Sequence, residues 1–238
     1  MFKAAFATIA VGLGLIAAPS WAKTAAEIHA GSGSASDKAA IATASELIAR
    51  KQPAQGLEAL APVLARFDAQ VAEAKARGMV FCGPTMMEAV LYAAMPGTQK
   101  KDGVVLGPEV CDAYFVQSYA LVELGRKPEA LAALQKLTAL APMHAHYFVE
   151  LGFTYRINGQ DDKAMEAYRA ALGHAELAED EAAKKRMRAA ANRGIGYMLI
   201  EARDLEGAEK AYRESLKDDP ESEIARNELQ FIAEQRQH

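Results

Sequence analysis

The chain has 238 residues, of which 51% are hydrophobic and 24% are charged, and this composition permits one folded domain with a continuous core. Its 31 Asp and Glu residues outnumber its 27 Lys and Arg residues, so the net charge is −4. A mildly acidic chain without a basic stripe argues against nucleic acid as the main partner.

Residues 1–22 have the organisation of a secretory signal peptide. Lys3 supplies the positive charge, residues 4–18 form an apolar run, and Ser20 and Ala22 are the small residues that a signal peptidase requires. The run is short for a membrane span, and no cysteine at the cleavage site could carry a lipid anchor. We therefore expect a periplasmic protein without stable membrane insertion after cleavage. An uncleaved N-terminal anchor is the alternative.

Residues 23–36 are predicted to form a flexible lead, because the segment is rich in Gly, Ser and Ala. Residues 37–70 carry the small residues Ala44 and Gly56 at a spacing that recurs downstream. We interpret this second segment as a degenerate helical repeat. Repeats at the end of an array often depart from the pattern because one of their faces meets water.

Residues 71–110 fit no repeat and are predicted to form an irregular helical insert. Within it, Thr85–Met95 is predicted to be a helix and Pro96–Pro108 a loop rich in Gly, Lys and Pro. Cys82 and Cys111 bracket this loop and are the two cysteines of the chain. An even count in a compartment that permits disulfides favours a bond between them. The alternatives are a redox pair, for which the close spacing of catalytic dithiols is missing, and two buried free thiols.

Three segments share a pattern with a spacing of 34 residues, namely 111–144, 145–178 and, after a short insertion, 189–222. A small residue stands at position 8 of each segment and Ala at position 20, where the two helices of a hairpin would cross closely. Pro142 and Pro220 end their hairpins because proline cannot continue a helix interior. A period of this size predicts stacked helix pairs, whereas unrelated amphipathic helices would not agree at several positions. The residues at positions 8 and 20 are Ser118 and Ala130, Gly152 and Ala164, and Gly196 and Ala208.

The stretches Leu151–Tyr155 and Ala208–Tyr212 resemble the tetratricopeptide repeat. The resemblance implies an all-α, right-handed superhelical solenoid of antiparallel helix pairs. The aromatic residues at position 24, Tyr168 and Tyr212, are expected to fill the gap between one hairpin and the next.

The remaining two segments lie beside the third repeat. Residues 179–188 are predicted to extend one helix, stabilised by i,i+4 ion pairs, with a charged docking patch as the alternative. Residues 223–238 are predicted to form a C-terminal cap helix, preceded by Asp219 as N-cap and Pro220 at the first helical position. At position 8 of a further repeat, Gln230 would be too large and polar for a close crossing.

Motifs of catalysis are missing from the sequence: there is no nucleophile elbow, phosphate-binding glycine loop or H-E-x-x-H helix. His144 and His146 form an H-x-H pair, and His174 follows one hairpin later. A metal site would need further ligands at a defined spacing, so surface histidines are the simpler interpretation. We expect a protein that is not an enzyme and that has no cofactor and no metal.

The repeat resemblance further implies that the first helix of each hairpin lines a concave groove. At position 9 the three repeats carry one aromatic residue each, which predicts an aromatic column along this groove. The residues predicted for a peptide-binding groove are Phe115, Tyr119, Val149, Phe153, Arg156, Arg193 and Tyr197. They differ from the Lys and Asn that relatives use at positions 5 and 9 to clamp a terminal carboxylate, so such a clamp is not expected. The alternative is that the column packs under the cap helix or within the stack.

Taken together, these patterns predict a non-catalytic adaptor that binds an apolar or amphipathic peptide of a partner protein in the bacterial periplasm. The alternative is an accessory or regulatory subunit of an envelope enzyme or assembly complex, which would contact its partners through the loop between residues 82 and 111.

Overall fold

The computed structural model describes residues 27–28, 33–98 and 102–236. The predicted signal peptide lies outside the described residues, as does most of the predicted lead. Helices dominate the described part, and none of them is long and apolar enough to cross a membrane. The helices are α1 Ala35–Ala49, α2 Pro53–Arg77, α3 Met86–Thr98, α4 Pro108–Glu123, α5 Lys127–Leu140, α6 Ala145–Ile157, α7 Asp161–His174, α8 Glu181–Glu201, α9 Leu205–Asp218 and α10 Glu223–Gln235, with one 3-10 turn at Ala175–Leu177.

The helices form a solenoid of antiparallel pairs, as the sequence predicted. α1 packs on α2, α4 on α5, α6 on α7 and α8 on α9, and α2, α5 and α7 each contact the pair that follows. The cap helix α10 packs on α9 and ends the described stack. Each pair therefore buries its apolar face against its neighbours, which is the packing expected of a repeat array.

The turn inside each of the four hairpins contains one residue in the left-handed backbone region. These residues are Lys51 (φ 62°), Gly125 (φ 69°), Gly159 (φ 70°) and Arg203 (φ 60°), and they all stand at position 15 of their repeats. The same conformation at the same position in α1–α2 supports the interpretation of that segment as a degenerate repeat.

Small residues allow the close helix contacts that the repeat pattern predicted. A Cβ atom added to Gly152 would lie 2.7 Å from the ring of Tyr168, and one added to Gly196 would lie 2.7 Å from the ring of Tyr212. In the first hairpin, a Cβ atom on Gly56 would lie 3.0 Å from the carbonyl oxygen of Ala44. Glycine at these positions therefore lets an aromatic ring or a backbone approach to contact distance.

A small parallel β-sheet in the insert is the main departure from the predicted all-helical architecture. Its strands are β1 Glu27–Ile28, β2 Met79–Cys82 and β3 Gly103–Leu106, in the order β1-β3-β2. Helix α3 connects β2 to β3, as a crossover between parallel strands requires. Val80 pairs with Val104 and Cys82 with Leu106, and these four side chains are buried.

The sheet corrects two predictions. Part of the predicted loop Pro96–Pro108 is the strand β3, and Glu27–Ile28 of the predicted flexible lead pairs with Val104 and Val105. Both strands are too short to show an alternating pattern in the sequence. Their pairing depends on a partner strand more than 20 residues away, which local composition does not reveal.

Some helix ends also differ from prediction. α2 continues to Arg77, beyond the predicted end of the degenerate repeat at residue 70. α10 begins at Glu223 with Ser222 as its N-cap, whereas Asp219, the predicted N-cap, ends α9. The Ser222 side chain accepts a hydrogen bond from the backbone of Ala225, a capping bond that Asp219 does not make.

Candidate functional site: a concave groove

Three consecutive hairpins line a groove of about 410 Å³, mainly with side chains of their first helices α4, α6 and α8. The repeat spacing places equivalent positions of these helices on the same side of the stack, so side chains from separate repeats meet there. The lining residues are Phe115, Ser118, Tyr119, Val122, Glu123, Leu134, Val149, Glu150, Phe153, Thr154, Tyr168, Ala190, Arg193 and Gly194.

Five of the seven predicted groove residues meet in this cavity, namely Phe115, Tyr119, Val149, Phe153 and Arg193. Tyr119 is 48% exposed, so a large part of this aromatic side chain is open to solvent. Phe115 and Tyr119 also line a second cavity of about 320 Å³ against α1. The apolar surface thus continues from the α6–α7 hairpin to the α1–α2 hairpin.

The other two predicted residues, Arg156 and Tyr197, lie next to the groove. The Arg156 guanidinium stands 4.3 Å from the centre of the Tyr197 ring and 5.1 Å from that of Phe153. Tyr197 lines a separate cavity of about 350 Å³ together with Phe231 of the cap helix. The aromatic column is therefore divided: Tyr119 and Phe153 line the groove, and Tyr197 lies between Arg156 and the cap helix.

Two carboxylates and one hydroxyl in the groove were missed by the sequence analysis. Glu123 and Glu150 line the cavity, and so does Thr154, whose Oγ1 atom is fully buried and has no hydrogen-bond partner among the described residues. In tetratricopeptide repeats, positions 2, 5, 9, 12 and 13 of the first helix face the groove. Glu123 stands at position 13, so the repeat register could have identified it. Glu150 stands at position 6 and offered no such signal.

The charged groups of the groove differ in how they are paired. Arg193 donates a hydrogen bond of 2.9 Å to Asp219, and Lys51 donates one of 3.3 Å to Glu123. Glu150 makes no hydrogen bond and no ion pair with any residue that the structure describes. Burial raises the pKa of the Glu150 carboxyl above its ordinary value.

The predicted disulfide between Cys82 and Cys111 is present in the structure, with the two Cα atoms 5.8 Å apart. It joins the end of β2 to the first turns of α4, and both residues are fully buried. The bond thereby fixes the insert to the hairpin that contributes Phe115 and Tyr119 to the groove.

Another cavity, of about 330 Å³, lies where the insert meets α6, α7 and α8, and we call it the junction cavity. The buried carboxylate of Glu88 accepts hydrogen bonds from Thr85 and Tyr92, and both its oxygens lie 3.1 Å from Nδ1 of His144. Tyr92 in turn accepts a hydrogen bond from the backbone of Met143. This network joins the N-terminal end of α3 to the start of α6.

The H-x-H pair, His144 and His146, lines the junction cavity together with His174. Among the described residues, no group of three or more His, Cys, Asp or Glu side chains is placed so that it could hold a metal ion. Burial, reinforced by the neighbouring His144, lowers the pKa of His146 to about 4. Burial also lowers the pKa of His174. These histidines are therefore packed side chains of a junction, whereas the sequence suggested surface residues.

The charged residues 181–188, which precede the repeat 189–222, extend the helix α8 at its N-terminal end, as predicted. The predicted i,i+4 ion pairs are replaced by contacts with other elements. Arg188 donates two hydrogen bonds of 2.9 and 2.7 Å to Asp218 of α9 and one of 2.6 Å to Glu176. The guanidinium thus connects three segments of the stack.

The fold and the groove define a protein of stacked antiparallel helical hairpins. Residues 115–181, from within α4 to the start of α8, match the tetratricopeptide repeat family. The match covers α4 to α7 and the start of α8, which includes one of the two stretches that carry the resemblance in the sequence. In a comparison with curated proteins, no protein matches the chain.

Several solved structures are similar to this chain. MamA from Desulfovibrio magneticus RS-1 is 16% identical, with 86% of this chain and 87% of that chain covered and a TM-score of 0.54. The first tetratricopeptide domain of Spaghetti (RPAP3), bound to an HSP90 peptide, is 19% identical over 54% of this chain and 94% of that chain, with a TM-score of 0.46. The tetratricopeptide domain of Sgt2 from Aspergillus fumigatus is 18% identical over 53% of this chain and 79% of that chain, also with a TM-score of 0.46. At 16% identity, the similarity to MamA shows the helical-repeat fold alone.

Proposed function

We propose that this protein is a non-catalytic scaffold for protein–protein interaction, which binds an apolar or amphipathic peptide segment of a partner in the groove formed by α4, α6 and α8. Tetratricopeptide repeats generally serve as interaction modules, and this supports the proposal at the level of the family. The observation that carries it is specific to this chain: three aromatic side chains from two repeats, Phe115, Tyr119 and Phe153, line one open cavity.

The dimensions and chemistry of the groove fit a peptide segment. A cavity of about 410 Å³ falls within the range of pockets that enclose a few side chains. Aromatic residues are enriched among the residues that dominate binding energy, because they bury a large area at a small cost in side-chain entropy. Tyr119, which is 48% exposed, is the side chain from which a partner would remove most solvent.

The proposed setting is the bacterial periplasm, and it rests on the signal-like sequence of residues 1–22. Trp21 is the single tryptophan of the chain, so cleavage after Ala22 leaves a protein without tryptophan. Protein purified from the periplasmic fraction should therefore show tyrosine emission but no tryptophan emission. Tryptophan emission from that fraction would contradict cleavage at this site.

Photocrosslinking in the native envelope tests the interaction. A benzoylphenylalanine residue introduced in place of Val122, which lines the groove, should crosslink to a partner that mass spectrometry then identifies. The same residue introduced in place of Ile224, which is 63% exposed on α10 and outside the groove, is the matched control. We expect a partner that is specific to the Val122 position.

Substitutions then separate binding from folding. The double variant Tyr119→Ala, Phe153→Ala should lose most of the Val122 crosslink, whereas Ile224→Ala should retain it. The helical circular dichroism signal and the melting temperature show whether the double variant is folded. If the partner is still captured while the stability of the variant falls, these aromatic residues serve packing and the groove is not the binding site.

A second candidate is an accessory subunit that contacts an envelope complex through the insert. The supporting observation is that α3 exposes three apolar side chains on one face, Met86, Met87 and Val90, at 78%, 59% and 55%. Exposed methionines are common at surfaces that adapt to a partner. The double variant Met86→Ser, Met87→Ser should abolish association if this candidate is correct, and it should leave the groove-dependent crosslink unchanged if the first is correct.

A further inference from the structure

The charge balance of the groove determines which peptides it can accept. The lining includes two carboxylates, Glu123 and Glu150, and one guanidinium, that of Arg193. The two arginines of the predicted site would on their own suggest an acidic ligand. The contacts of these arginines in the structure favour a basic ligand instead. This inference rests on the proposed function and specifies the chemistry of the peptide that the groove binds.

Both arginines already have partners within the chain. Arg193 is paired with Asp219 at 2.9 Å, and its side chain is 23% exposed. Arg156 lies over the ring of Tyr197 at 4.3 Å, outside the cavity lining. The positive charges near the groove are thus compensated by a carboxylate or directed at an aromatic face.

The negative charge of Glu150 has no such compensation. Its side chain is half-buried among the groove residues and makes no hydrogen bond or ion pair with the part of the chain that the structure describes. Removing a carboxylate from water without a partner is unfavourable, and burial accordingly raises the pKa of Glu150. Lys51, the partner of the neighbouring Glu123, is 79% exposed, so that ion pair is weak and can be displaced.

The surroundings of Glu150 are suited to a cation. Tyr119, which is 48% exposed, lines the same cavity, and aromatic faces attract ammonium and guanidinium groups. A carboxylate beside aromatic rings matches the long apolar stem and charged end of Lys or Arg.

We infer that the groove recognises a basic peptide segment, in which a Lys or Arg side chain flanked by apolar residues lies along the aromatic rings and pairs with Glu150. The flanking apolar residues occupy the surface of Phe115 and Val149. The other possible ligand, an acidic segment held by the free donors of Arg193, is an outcome of the test.

The test selects peptides from a random 12-residue display library against the chain from residue 23 to residue 238. Selected sequences are synthesised in two forms, one with the basic residue and one with norleucine in its place. Affinities are measured for wild type, Tyr119→Ala, Glu150→Gln and Glu58→Gln, the last being an exposed glutamate on α2 as the matched control. Circular dichroism melting verifies that each variant is folded.

We expect enrichment of Lys or Arg between apolar residues. Glu150→Gln should weaken binding of the basic form roughly tenfold to a hundredfold, the range for hydrogen bonds to charged groups. The norleucine form should not respond to this substitution, and Glu58→Gln should leave both forms unchanged. Binding of the basic form alone should weaken as salt is raised, because ions screen the attraction.

Two results would overturn the inference while leaving the proposed function intact. The first is enrichment of acidic residues among the selected peptides. The second is equal affinity of the basic and norleucine forms, with binding of both forms still lost when Tyr119 is replaced. If selection yields no peptide whose binding depends on Tyr119, both the inference and the proposed function are contradicted.

Discussion

The ring of Tyr168 lies directly against the backbone of Gly194, so closely that a Cβ atom on this glycine would overlap the ring. Tyr168 belongs to α7 of one hairpin, and Gly194 belongs to α8 of the next. The ring also lies against Gly152 of its own hairpin. A single buried tyrosine thereby sets the distance between two repeats and forms part of the floor of the groove.

Replacing Gly194 with Ala should destabilise the protein, because the added methyl group has no free space. Overpacking of this kind costs about 1–3 kcal/mol in the free energy of unfolding. Urea denaturation followed by circular dichroism measures the effect. Gly173→Ala is the matched control, since a Cβ atom there contacts nothing within 4 Å, and better helix propensity should make this variant equal to or slightly more stable than wild type. Similar losses in both variants would contradict the packing argument.

At equivalent positions of two hairpin turns, substitutions should change the free energy of unfolding in opposite directions. Arg203 adopts a left-handed conformation (φ 60°) that favours glycine, so Arg203→Gly should stabilise the protein by up to about 1 kcal/mol. Gly159→Ala, at the equivalent turn with φ 70°, should destabilise it by about 1 kcal/mol. Thermal melting of both variants measures the pair of shifts. A loss of stability in Arg203→Gly would show that the arginine side chain makes contacts that outweigh the backbone strain.

The disulfide should contribute strongly to the stability of the insert. Cys82 and Cys111 are separated by 29 residues, and closing a loop of this length is expected to stabilise the folded state by roughly 3–4 kcal/mol. The double variant Cys82→Ala, Cys111→Ala should unfold at correspondingly lower denaturant. Wild type unfolded in the presence of a reductant should show a similar loss, and the variant itself should be insensitive to reductant. An unchanged midpoint in the variant would contradict the prediction.

The buried imidazole of His146 should make the protein less stable in mild acid. Its pKa is lowered to about 4 in the folded state, against 6.5 ordinarily, so the unfolded chain binds the proton more readily. The associated stability is complete above pH 6.5 and is lost as the pH falls towards 4, by up to roughly 2–3 kcal/mol. His146→Gln has no such group, so the difference in unfolding free energy between wild type and variant should shrink or invert over this range. A difference independent of pH would contradict the assignment.

Glu150 should produce a pH dependence of the opposite sign. Its pKa is raised above an ordinary value of 4.5 in the folded state, so the folded protein binds the proton more readily. The stability due to this group is therefore complete at low pH and is lost as the pH rises through the raised pKa. Glu150→Gln should be more stable than wild type at pH 7 and should approach it below pH 4. Equal stability at neutral pH would mean that the carboxylate is better solvated than its surroundings indicate.

Much of the fold was predictable because the repeat imposes local rules. Gly152, Gly196 and Ala208 mark close helix crossings by their size alone, and position 15 marks a turn in every hairpin. The parallel sheet was not predictable in the same way. β3 is a four-residue apolar run whose strand character comes from pairing with β1 and β2, and these lie far away in the chain.

The candidate groove was predicted only in part, for a related reason. The positions of Phe115, Tyr119 and Phe153 follow from the repeat register, since equivalent positions of stacked helices share a face. The register does not state which charges find partners across helices. Arg193 pairs with Asp219 of a later segment, and Glu150 is left without a partner among the described residues.

By itself, the sequence determined the helical hairpins and the face that each presents, because these depend on side-chain size and on a period along the chain. The tertiary structure alone decided the sheet of the insert, the burial of His146 and the distribution of charge in the groove. Those features depend on contacts between segments distant in the chain, where burial and pairing set the energies of polar groups. The aromatic column is predicted by the register, but the structure divides it between an open groove and the cap helix.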